Sequence, residues 1–534
     1  MTCSKLFSGD LPELTFEIIK YFQNDYSILH SCILVNRFWC RLTIPLLWEN
    51  PFSIPTGNYN FIEIYLNDLN DDFKTKLIEY NIINNNSLNI MFNYSKFLKY
   101  LNTYKFVFSI EKWFETVIRT LKPENRLYSA SDLKRLIDTS IFNIFVENEV
   151  NLNTLEIEIS RIYYNTRIDN VLGLILQNTN FIHNIKNLNL YIDYSSSDFS
   201  HYNNNNEYTL IKNRILEIIN LHQNLKKILL SYDNSPLYIS LLLSKYYNCS
   251  NTLNTIIFYY VDFKGIINLN KIFEQLNVLE SVHIINCSSL NNYFTQQIIN
   301  LTKPFKLKSL FINEITQIKS IQLLLQKSGD YLENFGYGFS IDSLKKLQLL
   351  ELITKYCKNI KFLDLYGFEG QITYQIINLI KNIKQNLNYL SISSTSSSSY
   401  NNKESSSILL QNLGQILPNK LEYLCLNLRH IKSSSFEIFL KNSQNIFINK
   451  LLIYNREGQG ILPYIKKYIM KNKRVKYLSI YDSFFIDTLY DFRDYNSDLF
   501  SSINEVKEFG LYNIKVKSYP SLVIHISDFI KEID

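Results

Sequence analysis

Apolar residues recur along this chain in two rhythms. Over residues 10–52 the rhythm is helical. Leu11, Leu14, Ile18 and Phe22 are spaced by threes and fours, and so are Ile28, Leu29, Cys32, Val35 and Trp39. The polar run Gln23-Asn24-Asp25 separates the two predicted helices, and Pro45-Leu46-Leu47-Trp48 closes the segment. Asp10 with Glu13 three residues on predicts a capped helix start, and Pro12 fits the first turn, where a missing N–H costs nothing. Residues 56–150 carry no motif. Asn84-Asn85-Asn86 reads as loop there, and Phe61 to Tyr80 and Phe97 to Leu121 read as helical.

From residue 152 a second rhythm takes over, the unit L-x-x-L-x-L with Ile, Val, Phe or Tyr allowed. It begins at Leu152, Ile185, Leu225, Leu253, Leu279, Leu307, Leu332, Ile360, Leu387, Leu421, Ile448, Val475 and Val506. Most starts lie roughly 25–28 residues apart, a spacing typical of stacked repeats. The longer intervals hold the polar stretches Tyr194 to Tyr208 and Ser393 to Ser407, which read as surface insertions. Each unit predicts a short strand with its apolar positions on one side. Helical text follows, as in Ile266 to Leu276 and Ile372 to Ile383. No such unit buries its apolar face alone, so neighbours must stack. The expected fold is α/β: a solenoid with a curved parallel sheet and outer helices, preceded by a small all-α segment.

Composition narrows the function. Of 534 residues, 46% are hydrophobic and 19% charged, which predicts a folded chain. Lys and Arg number 55 against 49 Asp and Glu, a net charge of +6. A balance so near neutral argues against nucleic acid or an anionic membrane as partner. The densest basic stretch, Lys466, Lys467, Lys471, Lys473, Arg474 and Lys476, reads as a solvated helix face. The seven Cys show no CxxC pair and the seven His no HxxxH, so free thiols are expected, with no disulfide frame, zinc site or other cofactor. No apolar signal core follows Met1, and no apolar run reaches membrane-spanning length. The expected location is therefore cytoplasm, nucleus or both. The chain has no GxGxxG, phosphate loop or Gly-x-Ser-x-Gly elbow, and Gly458-Gln459-Gly460 alone is too little. Cys425 reads as an ordinary small strand residue. No catalytic residue is nominated, and the chain is expected not to be an enzyme.

Two resemblances give these patterns a direction. Leu11-Pro12-Glu13, Leu34-Val35-Asn36-Arg37-x-Trp39 and Pro45-Leu46-Leu47-Trp48 resemble the three blocks of an F-box, in the right order and spacing. The segment is similar to F-boxes of an expanded fungal family, although the first helix runs about a residue short between Glu13 and Ile18. This resemblance implies docking onto the Skp-type adaptor and cullin ligase core of a Skp–cullin–F-box ubiquitin ligase. It makes Leu11, Pro12, Leu34, Val35, Pro45, Leu46 and Trp48 the candidate adaptor contacts. A domain this small cannot bury all its large side chains, which fits a partner groove. The alternative is that Trp39 and Trp48 fill the core of an N-terminal cap. The repeats resemble leucine-rich repeats. Leu279-x-x-Val282-x-Ile284-x-x-Cys287 matches the cysteine-containing subtype often found behind F-boxes, and most other repeats depart from it at the Cys position.

Such arrays usually bind along their concave sheet, so the third, fifth and seventh positions of each motif become candidate target contacts. Aromatic rings are frequent there: Tyr259, Phe311, Phe362, Tyr366, Tyr389, Tyr423, Tyr454, Tyr477 and Tyr481. Phe362, Tyr389, Tyr423 and Tyr477 share the third position and should form a ladder. Rings give a large contact area at low entropy cost, but Tyr also favours strands whatever its role. The expected layout is an F-box at 8–52, a helical linker and N-terminal cap at 53–150, and a leucine-rich-repeat solenoid at 151–534. The expected function is substrate recognition for a ubiquitin ligase, the target protein being unspecified. The alternative is a repeat scaffold acting outside any ligase.

Overall fold

The structure is a computed structural model. It describes residues 11–534 other than 24, 55–57, 80–90, 121–129, 160–164, 193–204, 223, 232–248, 339, 369, 395–401, 429, 456, 483–497, 532 and 534. Asp10, Asn84-Asn85-Asn86 and residues 194–204 and 395–401 of the two predicted insertions lie outside the described residues, and the end of the second insertion is helical rather than loop, with Ser405, Ser406 and Ser407 buried. The chain divides into two compact units, Met1–Asn254 and Thr255–Asp534.

The first unit opens with three short helices, α1 (Pro12–Lys20), α2 (Tyr26–Ile33) and α3 (Arg37–Leu47). Pro12 occupies the first turn of α1, as expected. The helix predicted from Ile28 to Trp39 is broken in two. Asn36 is extended, and its side-chain oxygen accepts the Trp39 N–H at 2.9 Å, so a new helix starts where the apolar spacing alone would continue the old one. Asp25 caps α2 in the same way, accepting from Ile28 N at 3.1 Å. Ile19, Leu29 and Leu46 form the small core between the three helices.

Beyond them come α4 (Phe61–Leu66) and α5 (Asp71–Glu79), both within the predicted helical stretch. A strand, β1 (Tyr100–Asn102), precedes α6 (Thr103–Thr120). The helical reading of residues 97–121 missed this strand, because three residues are too few to display a period of two. Then α7 (Ala130–Glu147), β2 (Thr154–Ile159), α8 (Asn165–Gln177), β3 (Asn187–Ile192), α9 (Asn205–Leu221) and β4 (Lys227–Ser231) alternate. The strands pair in parallel and in sequence order, with Tyr100 opposite Thr154, Leu155 opposite Leu188 and Leu190 opposite Leu230. Leu155, Ile157, Leu188 and Leu190 lie buried beneath the helices. A buried ion network ties three helices together. Arg167 of α8 meets both carboxylate oxygens of Asp138 on α7, at 2.7 and 2.5 Å, and Glu111 of α6 at 2.7 Å.

The second unit repeats the strand–helix step. Its strands are β5 (Thr255–Tyr259), β6 (Ser281–Ile285), β7 (Leu307–Ile312), β8 (Asn334–Tyr337), β9 (Phe362–Phe368), β10 (Tyr389–Ser394), β11 (Lys420–Asn427), β12 (Phe447–Asn455), β13 (Val475–Asp482) and β14 (Lys515–Val516). Consecutive strands are parallel neighbours throughout. The helices between them are α10 (Leu269–Gln275), α11 (Asn292–Ile299), α12 (Ile318–Ser328), α13 (Ser343–Tyr356), α14 (Thr373–Ile383), α15 (Asn402–Ile416), α16 (Ser433–Asn442), α17 (Leu462–Ile465) and α18 (Ile503–Leu511), with α19 (Tyr519–Leu522) and α20 (Ile526–Lys531) ending the chain. A parallel pair needs such a crossover, because a tight turn cannot return the chain to the same end. The fourth and sixth motif positions are buried in all twelve repeats from Leu152 to Val475. Cys287 is buried too, its thiol donating to the carbonyl oxygens of Phe258 at 3.4 Å and Ile285 at 3.5 Å.

Three features depart from the sequence reading. The last motif, at Val506, is helical: Val506 and Phe509 lie on α18, and the strand comes later, at Lys515–Val516. A spacing of three suits either element. Leu511, predicted inward, is 82% exposed, while Phe509 is fully buried. Second, β7 carries a bulge. Val282 pairs with Leu307 but His283 pairs with Ser309, so Lys308 is extra and the motif frame slides against β6. Third, the basic stretch is not all solvated face. Lys466 bridges Glu505 at 2.6 Å and Glu508 at 2.7 Å on α18. Arg474 is buried, donating to the carbonyls of Leu440, Ser443 and Ile446 behind the C-terminus of α16, where a cation is favoured.

Candidate interaction surfaces

The predicted adaptor contacts separate into two groups. Leu34 is 74% exposed and Val35 48% exposed at the junction of α2 and α3, and Pro12 is exposed at the start of α1. Leu11 and Pro45 are half-buried. Leu46 and Trp48 are buried, contrary to the expectation that they face a partner. Leu46 fills the core of the three-helix bundle. The indole of Trp48 packs inward, tilted against Tyr94 at 4.4 Å and edge-to-face with Tyr65 at 5.4 Å, so it welds the bundle to the rest of its unit. Leu14 and Ile18, which carry the helical spacing of α1, are both exposed alongside Ile28. The bundle therefore carries more bare apolar surface than its motifs announced.

On the second unit the strand register builds the predicted row. Asn334, Phe362, Tyr389, Tyr423, Lys450 and Tyr477 stand opposite one another on successive strands, on the face away from the helices. The rings of Phe362 and Tyr389 are 5.8 Å apart and those of Tyr389 and Tyr423 6.3 Å. Lys450 interrupts the ladder before Tyr477. Because of the bulge, the row continues past Ser309 to His283, whose Nδ1 lies 2.7 Å from the Ser309 hydroxyl. A parallel row further along the strands holds Tyr454 and Tyr481, stacked at 4.6 Å with planes 2° apart. Tyr366 is 42% exposed, whereas Tyr259, Phe311, Phe362 and Tyr423 are buried.

Several of these rings are buried by a segment that sequence reasoning did not place. After β14 the chain turns back across the open face. Tyr519 lies against Tyr454 at 5.6 Å, with its hydroxyl 3.3 Å from the Cys425 thiol. Its N–H donates to Asp498 at 2.7 Å. Leu522 joins Tyr423, Cys425 and Leu452 in one cluster, and Ile524 N–H reaches the Tyr423 hydroxyl at 3.4 Å. Phe529 then settles between Phe311 and Phe362, at 5.7 and 4.8 Å. The signal was present as Tyr519, Leu522, Ile524 and Phe529, but no periodicity shows which face such residues cover.

Where the segment does not fill the face, an open pocket of about 390 Å³ remains, bordered by His283, Asn334, Phe362, Tyr389, Ile524 and Phe529. Glu333 stands at its rim between Lys308 and Lys361, the latter at 2.7 Å. Partial burial pushes this carboxyl up, but the two ammonium groups outweigh it and hold it below the usual carboxylate range. Asp364, by contrast, is pushed up by burial, which the Ser391 hydrogen bond only partly offsets. Burial pushes the Cys425 thiol up to about 11, far from a nucleophile's range.

The open face of the first unit is polar. Glu156 accepts from the Tyr100 hydroxyl and from Asn102 and Asn189, and Asn102 also reaches Glu158 at 2.8 Å. Tyr100 is pushed well above its usual range by burial and by the Glu156 charge. Among the described residues no group of His, Cys, Asp and Glu could hold a metal ion, and no helix is long and apolar enough to cross a membrane. Comparison with protein-family models gives no match, and comparison with curated proteins gives no relative.

Proposed function

We propose that this chain is a substrate-recognition adaptor of a Skp–cullin–F-box type ubiquitin ligase, the N-terminal bundle docking on the Skp-type adaptor and the open face of the second unit holding a target protein. The observation that carries the reading is the exposure of Leu34 and Val35. These two adjacent side chains stand bare at the block that resembles the F-box, on a bundle that also exposes Leu14, Ile18 and Ile28. The aromatic row supports the second half, since rings in one register offer large, rigid contact area. Holding a target beside a charged ubiquitin enzyme needs no chemistry in this chain, only effective concentration.

A second reading is a repeat scaffold working outside any ligase. The inward packing of Leu46 and Trp48 favours it, because half of the third motif block then serves as an internal seam. Co-purification with a Skp-type adaptor decides between them. The wild type should form a one-to-one complex, and Leu34→Asp/Val35→Asp should fold and not bind. A folded wild type that fails to bind leaves the scaffold reading.

A further inference from the structure

We infer that the C-terminal segment, residues 519–531, is a tethered stand-in for the target, and that the open face of the second unit binds an apolar–aromatic peptide segment of the same chemistry in its place. This rests on the reading of that face as the target-binding surface and names both its ligand class and its regulation.

The segment runs against the strand order, from Tyr519 over β12 and β11 to Phe529 over β9 and β7. Five strand spacings are about 24 Å, which ten residues of mixed helix and extended chain span comfortably. The contacts are made by side chains: Tyr519 on Tyr454, Leu522 on Tyr423 and Leu452, Phe529 on Phe362. Polar anchoring across the face is thin. Among the described residues it includes the Tyr519 hydroxyl beside Cys425 and a long bond from Ile524 N–H to Tyr423, with the Tyr519 N–H held by Asp498 where the segment begins.

No strand is added along this path; the segment forms two helices of a single turn or little more. Most of its described residues remain half-buried or exposed, and only Leu522 and Ile530 are buried. A segment held by rings and aliphatics, with little backbone bonding, is one that another segment with rings and aliphatics can replace. The tether explains why it resides there when alone. Only two residues separate Tyr519 from β14, so its local concentration is of millimolar order. A target must therefore outcompete it, and apparent affinity falls by the fraction of molecules with the face covered.

The test uses the full chain and a labelled synthetic peptide with the sequence of residues 518–531. Tyr519→Ala/Phe529→Ala in the chain loosens the segment while the peptide keeps both rings. The variant should bind the peptide at least about tenfold tighter than the wild type. Alkylation of Cys425, which the Tyr519 ring covers, should be faster in the variant and slow again when peptide is added. A folded variant that does not bind the peptide overturns the inference. So does a variant that dimerises and excludes it, which would assign the face to a second copy. If the variant fails to fold, hydrogen exchange in the wild type decides the matter independently. Amides from Leu522 to Phe529 should exchange well before those of β11, and exchange only on global unfolding would make the segment permanent core. Adaptor co-purification is scored on the same preparations. Peptide binding without adaptor capture keeps this inference and removes the ligase reading, and the reverse removes this inference alone.

Discussion

The ring of Phe529 lies 4.8 Å from the ring of Phe362, which stands more than 150 residues earlier in the chain and on a different element. Phe362 is buried largely because of it and its neighbours on the row. Phe529 itself is only half-buried, so truncating it removes less contact than truncating a ring in the true core. Phe529→Ala should cost about 1–2 kcal/mol, against about 3–5 kcal/mol for Phe335→Ala beneath the helices, where the side chain is fully buried. Urea denaturation of the two variants measures the gap. Equal losses would mean the C-terminal segment is as integral as the sheet.

Arg167 and Asp138 form a buried bidentate pair. Burial pushes the Asp138 carboxyl up, and the Arg167 guanidinium opposes that push. Removing the cation leaves an uncompensated buried carboxylate with Glu111 nearby. Arg167→Met should therefore destabilise the first unit by about 3–5 kcal/mol. Adding Asp138→Asn to it should recover a substantial part of the loss. A double variant no more stable than the single one would argue against charge burial as the cause.

Glu333 gives a signed pH dependence. Its folded value lies below the ordinary 4.5, because Lys308 and Lys361 outweigh the effect of burial. A depressed acid stabilises the fold above its unfolded value and loses that stabilisation as pH falls through the folded one. Glu333→Gln should thus be less stable than wild type at pH 7, and the difference should shrink below about pH 4. Thermal melts at stepped pH show this directly, and a difference independent of pH would remove the two lysines from the explanation.

Gly458 and Gly460 sit two residues apart and should respond oppositely. A Cβ on Gly458 would fall 1.9 Å from the Asn455 side-chain oxygen and 2.5 Å from Ile431 N, while one on Gly460 would meet nothing within 4 Å. Asn455 holds this turn by donating to Gln459 O at 2.9 Å and accepting from Ile431 N at 3.2 Å. Gly458→Ala should cost about 1–3 kcal/mol through overpacking. Gly460→Ala should melt within a degree or two of wild type.

The buried thiols should be chemically silent. Burial raises Cys287 and Cys357 to about 12, and Cys287 additionally hydrogen-bonds backbone carbonyls. Iodoacetamide at pH 8 should leave both unlabelled in the native protein while half-buried Cys40 reacts, and all three should react in denaturant. Early labelling of Cys287 would show that its repeat opens locally.

The sequence by itself determined where twelve of the strands lie, β2 to β13. Each announces itself within six residues, because inward-pointing aliphatic or aromatic residues at the fourth and sixth positions are a local requirement of burial on one side. It also determined which residues share the aromatic row through β9, β10, β11 and β13, since equal motif position implies equal height on neighbouring strands. Only the tertiary structure decided the rest. Two strands, β1 and β14, are too short to carry a period, and their identity comes from the neighbour they pair with. The bulge at Lys308 moved His283 into line with the row, which no motif can show because register belongs to the pair and not to either strand. Trp48, Leu46 and the tyrosines of the open face look alike as letters. Their exposure depends on what packs over them, and for the open face that cover is the segment after the last strand, held by contacts between residues far apart in the chain.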